Sequence, residues 1–280
     1  MYISRSLAAV AIAVVVSTVL AQTPASAQGS AAPPPQPAAA PAAAVPSCQE
    51  LAAALNAVVR NDQRLRDWPN LARYRDANLQ AGAPAPGESR VVFMGDSITD
   101  SWQQPRFGTF FQGRPYFDRG ISGQTTPQML LRFRRDVVAL SPKVVVILAG
   151  TNDISANTGP TTDEDIEGYL ASMAELAAAH GIRVVMSSIL PVGEYHVAAG
   201  GTPQTTTRPM ARITAVNAWM KKYAAEHGHT YLDYFPAMID EKGLLRADLS
   251  DDDLHPNAKG YQVMAPLAEA AVARALATKR

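Results

Sequence analysis

The stretch Arg90-Val-Val-Phe-Met-Gly-Asp-Ser-Ile-Thr99 decides the fold of this 280-residue chain. Its apolar run is rich in β-branched residues and stops at Gly95, which predicts a buried strand. If a helix begins at or just after Ser97, its unpaired backbone N–H groups face any negative charge that forms near the serine hydroxyl. The stretch therefore offers a place for a nucleophile, although a serine that caps an ordinary strand-to-helix turn shows the same pattern.

Beyond Ser97 the sequence alternates between short apolar segments and segments with helical periodicity. The further strand candidates are residues 116–118, 143–149, 183–190 and 230–232, and the helical stretches are residues 127–140, 163–180, 210–227 and 260–277. The strands at 144–148 and 184–186 are continuously apolar, as expected where helices cover both faces of a parallel sheet. The sequence predicts an α/β fold, a three-layer α/β/α domain whose ligands bind beyond the carboxyl ends of the strands.

The N-terminal residues are predicted to lie outside this domain. Arg5 precedes an apolar run at 7–20 that is short for a membrane span, and small residues follow at 25–27. We interpret residues 1–27 as a signal peptide, with an uncleaved anchor as the alternative. A signal peptide indicates a secreted or periplasmic protein without an integral membrane span after cleavage. Residues 28–46 are mostly Ala and Pro and predict an extended linker.

A predicted helical segment, residues 48–86, precedes the main domain at residues 87–280. Its first apolar stripe consists of Leu51, Leu55, Val58 and Val59. This spacing is typical of a helix, and a second helical piece follows Pro69. Trp68 lies between the two pieces and is interpreted as a core side chain, with a ligand platform as the alternative. The role of the segment stays open.

Composition excludes several classes of function. The chain has 25 basic and 25 acidic residues, and removal of residues 1–27 takes away Arg5 and no acid, so the mature net charge is −1. Neither nucleic acid nor an anionic lipid surface is therefore expected as a partner. Cys48 is the single cysteine of the chain, so no internal disulfide can form. A hydrophobic content of 47% is sufficient for a substantial core.

Three of the segments that follow strands carry groups that acyl transfer requires. Ser97 offers the attacking oxygen, Gly123 a backbone N–H without an obstructing side chain, and Asn152 an amide NH₂. The N–H groups of Ser97 and Gly123, together with the Asn152 amide, can converge on the oxyanion of a tetrahedral intermediate. Asp96 and Asp153, beside two of these residues, are interpreted as carboxylates that orient loops through backbone amides.

A serine hydroxyl requires a base, and His255 is the candidate. Asp252 precedes it by three residues, one helical turn, and can hold the other ring nitrogen. Pro256 then restricts the chain before the final helix. The alternative interpretation is a solvated acidic turn at 251–253 beside a surface histidine. No metal ligand array is predicted, because a second histidine at ligand spacing is lacking.

Taken together, Gly95-Asp96-Ser97-Ile98, Gly123, Gly150-Thr-Asn-Asp153 and Asp252-x-x-His255-Pro256 resemble the ordered sequence blocks of the SGNH hydrolase superfamily, the GDSL-like lipases and acylhydrolases. The resemblance spans residues 88–275, and four blocks in order are far more specific than one. Thr99 stands where the Gly-x-Ser-x-Gly elbow of ordinary α/β-hydrolases requires glycine.

The resemblance implies a flavodoxin-like parallel sheet, Ser97 as nucleophile, His255 as base, Asp252 as its orienting acid, Gly123 and Asn152 as oxyanion donors, and no cofactor. The most similar subtype includes platelet-activating-factor acetylhydrolase subunits and bacterial carbohydrate acetylesterases. It implies an exported serine esterase that cleaves short acyl groups from a small-molecule or carbohydrate ester. The alternatives are a polysaccharide O-acyltransferase with the same site and an inactive carbohydrate-binding relative.

Overall fold

The computed structural model describes residues 47–108 and 110–278. The predicted signal peptide at 1–27 and linker at 28–46 lie outside the described residues. No helix within the described ranges has the length and apolar character needed to cross a membrane.

The centre of the fold is a parallel sheet. Its strands are β1 (Val91–Gly95), β2 (Tyr116–Gly120), β3 (Val144–Leu148), β4 (Arg183–Ser187) and β5 (Thr230–Leu232). They lie in the order β2-β1-β3-β4-β5, and every pairing is parallel. This is the flavodoxin-like order, so the predicted α/β fold class is confirmed.

Helices cover both faces of the sheet. Their bounds are α1 (Cys48–Arg66), α2 (Arg75–Ala81), α3 (Ser97–Trp102), α4 (Thr126–Asp136), α5 (Thr151–Ile154), α6 (Asp163–Ala179), α7 (Gln204–Thr207), α8 (Met210–Glu226), α9 (Phe235–Met238) and α10 (Ala258–Ala277). Helices α4, α6 and α8 contribute to one buried apolar cluster, and α3 and α10 to the other. Successive residues of β1 alternate between the two clusters, which explains why the strand is apolar at every position.

Helix α4 ends earlier than the sequence predicts. It stops at Asp136, and Val137 leaves the helical region with φ −123° and ψ −66° before a 3₁₀ turn at Val138–Leu140. Val137 and Leu140 are both buried. The apolar periodicity therefore continues past the end of the α-helix, because the turn packs its side chains into the same core.

The N-terminal helices are present where the sequence predicts them, but they pack differently. The apolar stripe of α1 is exposed, with Leu55 64% accessible. Trp68 is 38% accessible, so its interpretation as a core residue is wrong. The reason is a tight turn at residues 67–70 that holds Trp68 at the surface. Helix α2, by contrast, is fixed to the domain through Asn78, whose amide donates to Asp136 Oδ1 at 2.8 Å.

Glycines end β1 and β2 because α3 packs directly against the strand ends. A Cβ atom at Gly95 would lie 2.0 Å from Thr99 Oγ1. A Cβ atom at Gly120 would lie 2.1 Å from the backbone nitrogen of Asp100. The second contact is with backbone, which cannot rotate away as a side chain can. Only glycine at the ends of β1 and β2 leaves room for α3 in this position.

We expect Gly120→Ala to lower the free energy of unfolding by about 1–3 kcal/mol, because the added methyl must displace α3. Urea denaturation measures the change. The matched control is Gly168→Ala in α6, where a Cβ meets nothing within 4 Å. That variant should be neutral or stabilised by up to about 1 kcal/mol. Equal stability of Gly120→Ala and the wild type would contradict the packing constraint.

Asp118 in β2 is a second buried feature of the strand ends, and it should give the protein a pH-dependent stability. Its Oδ1 accepts a hydrogen bond from the Gly120 N–H at 2.7 Å, whereas its Oδ2 has no partner among the described residues. Burial raises the pKa of this carboxyl to about 7. Between about pH 4, the pKa range of an unfolded carboxyl, and pH 7 the unfolded chain loses a proton that the folded chain keeps.

The free energy of unfolding contributed by Asp118 should therefore fall as pH rises from 4 to 7. Asp118→Asn cannot ionise, so its stability relative to the wild type should increase over this range and level off above it. Urea denaturation at several pH values measures how the difference in free energy of unfolding between Asp118→Asn and the wild type changes with pH. An effect of the substitution that is the same at every pH does not alter this slope. Asp76→Asn, at an exposed position of α2, serves as the control. A flat difference for Asp118→Asn, or the same slope in the control, would contradict the assignment.

Candidate active site

Ser97 is the first residue of α3, two positions beyond the end of β1. Asp96 forms the N-cap, and its Oδ1 accepts a hydrogen bond from the Ile98 N–H at 2.9 Å. The strand order reverses between β1 and β3, the point at which parallel α/β sheets open a crevice. Ser97 follows β1, and Asn152 follows β3 within α5. The topology thus places both residues at the opening of the sheet.

The structure brings Ser97, His255 and Asp252 together. Ser97 Oγ lies 2.9 Å from His255 Nε2, and His255 Nδ1 lies 2.6 Å from Asp252 Oδ2. The two ring nitrogens therefore contact two different partners. A neutral imidazole that donates from Nδ1 to the carboxylate has a free electron pair at Nε2, facing the serine hydroxyl.

The loop that carries Asp252 and His255 is not helical, although their spacing predicts one helical turn. It consists of bends, with Asp253 in the left-handed region at φ 65°. Asp252 Oδ1 organises the loop by accepting the N–H groups of Leu254 and His255, at 3.1 and 2.7 Å. The sequence spacing thus indicates the correct contact, but the geometry that produces it is a turn closed by a carboxylate.

Asp252 is held in its charged form. Burial alone would raise the pKa of this carboxyl, but hydrogen bonds from the His255 ring and backbone, together with the positive charge on the imidazole, outweigh it. The pKa of Asp252 consequently lies well below its ordinary value. The Asp252 carboxylate, which accepts the hydrogen bond from His255 Nδ1, therefore stays ionised at neutral pH.

Gly123 and Asn152, the two oxyanion donors predicted from the sequence, line the same cavity as Ser97. Gly123 has φ +78°, and its N–H has no acceptor within the described part of the chain. Asn152 is buried, and its Nδ2 donates to Gln124 O at 3.0 Å. Asn157 Nδ2 donates to Asn152 Oδ1 at 3.0 Å, which fixes the orientation of the Asn152 amide. One N–H of that amide remains available.

All five residues predicted from the sequence line one cavity of about 1110 Å³: Ser97, Gly123, Asn152, Asp252 and His255. Among the other residues that line the cavity are Asn157 and Arg208, which the sequence does not indicate. Asn157 gives no sequence signal beyond its position five residues after Asn152. Arg208 lies near the end of a Gly/Thr-rich stretch and gives no motif of its own.

Arg208 is nearly buried, with 8% of its surface accessible. Its Nε donates to Thr151 Oγ1 at 3.2 Å, and its Nη1 donates to Gln204 Oε1 at 2.7 Å. Burial lowers the pKa of this guanidinium, and the charges of Asp96 and Asp252 oppose the shift. Arg208 thus adds positive charge to a cavity whose loop carries several carboxylates.

The two aspartates beside the site orient backbone, as the sequence predicts. Asp153 Oδ1 accepts from the Thr126 N–H and hydroxyl at 3.0 and 2.6 Å, and it thereby connects α5 to the first residue of α4. Asp96 caps α3 and is fully buried, and burial raises its pKa to about 6.

Within residues 47–108 and 110–278, no group of three His, Cys, Asp or Glu side chains is placed to hold a metal ion.

The chain is similar to proteins of one known family. The model of the GDSL-like lipase/acylhydrolase family matches residues 93–263. The crystal structure of a GDSL-like lipase from Bacteroides thetaiotaomicron is 38% identical, with a TM-score of 0.66, over 74% of this chain and 98% of that one.

Two curated relatives are acetylxylan esterases. The protein from Xylanibacter ruminicola is 26% identical over 76% of this chain, and the match spans 48% of its own length. The protein from Geobacillus stearothermophilus is 24% identical over 63% of this chain and 90% of its length. The chain thus spans about half of the first relative and most of the second. On the extent of the family match and the likeness to the Bacteroides lipase, the chain belongs to the GDSL-like lipase/acylhydrolase family, a family of carboxylic ester hydrolases.

Proposed function

We propose that this chain is a serine esterase that removes short acyl groups, acetyl above all, from an alcohol. The observation that carries the proposal is the 2.9 Å contact between Ser97 Oγ and His255 Nε2. A serine hydroxyl within hydrogen-bond distance of an imidazole at the sheet opening supports the roles of nucleophile and base. The choice of acetyl is supported by the two relatives that are acetylxylan esterases.

In the first step His255 Nε2 accepts the Ser97 proton as Oγ attacks the carbonyl carbon of the ester. The carbonyl oxygen becomes an oxyanion, which accepts hydrogen bonds from the N–H groups of Ser97 and Gly123 and from the Asn152 amide. Asp252 stabilises the imidazolium that has formed and keeps the ring oriented. The bond to the alcohol oxygen then breaks, and His255 gives its proton to that oxygen.

In the second step a water molecule takes the place of the alcohol. His255 accepts a proton from the water, whose oxygen attacks the carbonyl carbon of the acyl-enzyme. The same three donors stabilise the second oxyanion. The bond to Ser97 Oγ breaks, the serine regains its proton from His255, and the carboxylic acid leaves. One ester and one water thus give one acid and one alcohol, with the enzyme unchanged.

Export is a further part of the proposal. It is supported by the sequence of residues 1–27, with a basic residue, a short apolar run and a small-residue site at 25–27. The acyl transfer described above uses neither a cofactor nor an intracellular energy source. It can therefore proceed outside the cytoplasm.

We expect Ser97→Ala and His255→Ala each to reduce kcat/KM for 4-nitrophenyl acetate by about 10³-fold or more, because the first removes the proposed nucleophile and the second its base. Asn152→Ala should cost about 10²–10³-fold in kcat, the usual loss for one oxyanion donor. Ser172→Ala in α6, whose hydroxyl bonds only the Gly168 carbonyl, is the matched control and should retain full activity.

A fluorophosphonate should label the wild type and Ser172→Ala but not Ser97→Ala. Undiminished turnover by Ser97→Ala would exclude the acyl-enzyme mechanism. Acetate release in the presence of an acceptor sugar, without formation of a new sugar ester, separates hydrolysis from acyl transfer.

Asp252→Asn tests the orienting carboxylate separately from the loop that it organises. The asparagine oxygen can still accept hydrogen bonds from the N–H groups that Oδ1 accepts, whereas its NH₂ cannot accept a hydrogen bond from His255 Nδ1–H. We expect a loss of about 10³–10⁴-fold in kcat with little change in the free energy of unfolding. A loss of less than about tenfold would contradict the assigned role.

A further inference from the structure

A second cavity of about 690 Å³ adjoins the active-site cavity. The two cavities share three lining residues, Ser122, Gly123 and Asn157, so they meet beside the proposed oxyanion donors. Trp68 and Asn70 line the second cavity from the N-terminal turn, and Gln128 lines it from α4. Its volume lies within the range of about 300–1,000 Å³ that is typical of small-molecule sites.

We propose that this second cavity binds a sugar residue of a neutral oligosaccharide whose acetyl ester is cleaved at Ser97. The inference rests on the proposed esterase activity and names the chemistry of its alcohol. The sugar occupies the side of Gly123 that faces Trp68, while the acetyl group stays in the active-site cavity.

Trp68 is presented as a platform rather than packed as a core residue. A tight turn holds it, in which the Asn70 N–H donates to Asp67 O at 2.9 Å and Asn70 has φ 55°. The Asp67 carboxylate accepts the N–H groups of Leu71 and Ala72 at 2.7 and 3.0 Å. The turn is thus closed by its own hydrogen bonds, with 38% of the Trp68 residue surface accessible. An exposed aromatic ring on a rigid backbone loses little conformational entropy when a ligand stacks on it.

Two glutamine side chains fix the turn at residues 67–70 relative to the active site. Gln128 Nε2 donates to Trp68 O at 2.8 Å, and Gln124 Nε2 donates to Pro69 O at 2.7 Å. Gln124 O in turn accepts the Asn152 amide at 3.0 Å. Two hydrogen bonds, both made by Gln124, therefore connect the turn that carries Trp68 to a proposed oxyanion donor. The distance between the stacking surface and the reacting carbonyl is set by the fold.

The polar groups of the cavity match a hydroxyl-rich, uncharged ligand. Asp67 is the one charged side chain among the described residues that line it, and both of its oxygens already accept backbone N–H groups. The Asn70 carboxamide makes no hydrogen bond within the described ranges, so it can both donate to and accept from sugar hydroxyls. Without a lysine or arginine in this lining, an anionic ligand has no counter-charge. A sugar offers C–H groups for the indole face and hydroxyls for Asn70.

The same lining argues against an acyl chain in the second cavity. A long alkyl chain would remove water from the Asn70 carboxamide, which has no hydrogen-bond partner among the described residues, and this desolvation costs free energy. A sugar hydroxyl replaces the lost water with a hydrogen bond. The polar cavity therefore takes the alcohol side of the ester.

The test compares two acetyl esters, an acetylated xylo-oligosaccharide and ethyl acetate, whose alcohol is too small to reach Trp68. For Trp68→Ala we expect kcat/KM to fall about tenfold on the oligosaccharide, mainly through KM, and to stay within about twofold on ethyl acetate. Trp68→Tyr keeps a ring and should recover most of the loss. Trp219→Ala in α8, a partly buried tryptophan that lines neither cavity, is the matched control and should show no such selectivity.

Calorimetry gives a readout that does not require turnover. Ser97→Ala should bind the acetylated oligosaccharide, and Ser97→Ala/Trp68→Ala should bind it about tenfold more weakly. Equal losses on both esters, a loss that appears instead on long-chain acyl esters, or unchanged binding in the double variant would each overturn the sugar site. Failure of the wild type to hydrolyse either ester, with binding of the oligosaccharide intact, would refute the proposed esterase and leave the sugar site standing.

Discussion

The structure depends on the close packing of α3 against the ends of β1 and β2. Because Gly95 and Gly120 have no side chains, the helix begins only two residues after β1, and Ser97 is held at the edge of the sheet. A longer connection would leave the hydroxyl on a flexible loop. The N–H of Ser97 is held with it, so that the proposed nucleophile and one oxyanion donor are positioned by the same contact.

A buried arginine extends this constraint across the site. Arg132 of α4 is inaccessible to solvent and donates to the carbonyls of Gly95 and Arg119 at 3.0 and 2.8 Å, which joins the ends of β1 and β2. Its Nε donates to Gln124 Oε1 at 2.6 Å, and Asp136 compensates its charge at 3.1 Å. Gln124 then contacts both the Asn152 amide and Pro69 O. One buried cation therefore connects the strand ends, a proposed oxyanion donor and the turn that carries Trp68.

The sequence predicts the fold well because continuous apolar strands can be buried only between two layers of helices. It also indicates which loops meet, since parallel strands place their carboxyl ends at one edge, and Ser97, Gly123 and Asn152 all follow strands. What it does not predict depends on packing between distant segments. Trp68 is a large apolar side chain of the kind found in cores, and only the hydrogen bonds from Gln128 and Gln124 to the backbone of its turn show that it is held at the surface. Arg208 likewise reaches the cavity through a loop without a recognisable pattern.

The two cavities are encoded by different parts of the chain. The family model matches residues 93–263, which include every residue of the proposed acyl-transfer machinery. The turn that carries Trp68 precedes the match and contacts it through Gln124 and Gln128, which lie within it. Chemistry at the carbonyl requires fixed geometry, whereas recognition of the alcohol requires only a surface at a fixed distance. A segment outside the catalytic match can therefore change the alcohol that is accepted without disturbing Ser97, provided that its backbone carbonyls still accept hydrogen bonds from Gln124 and Gln128.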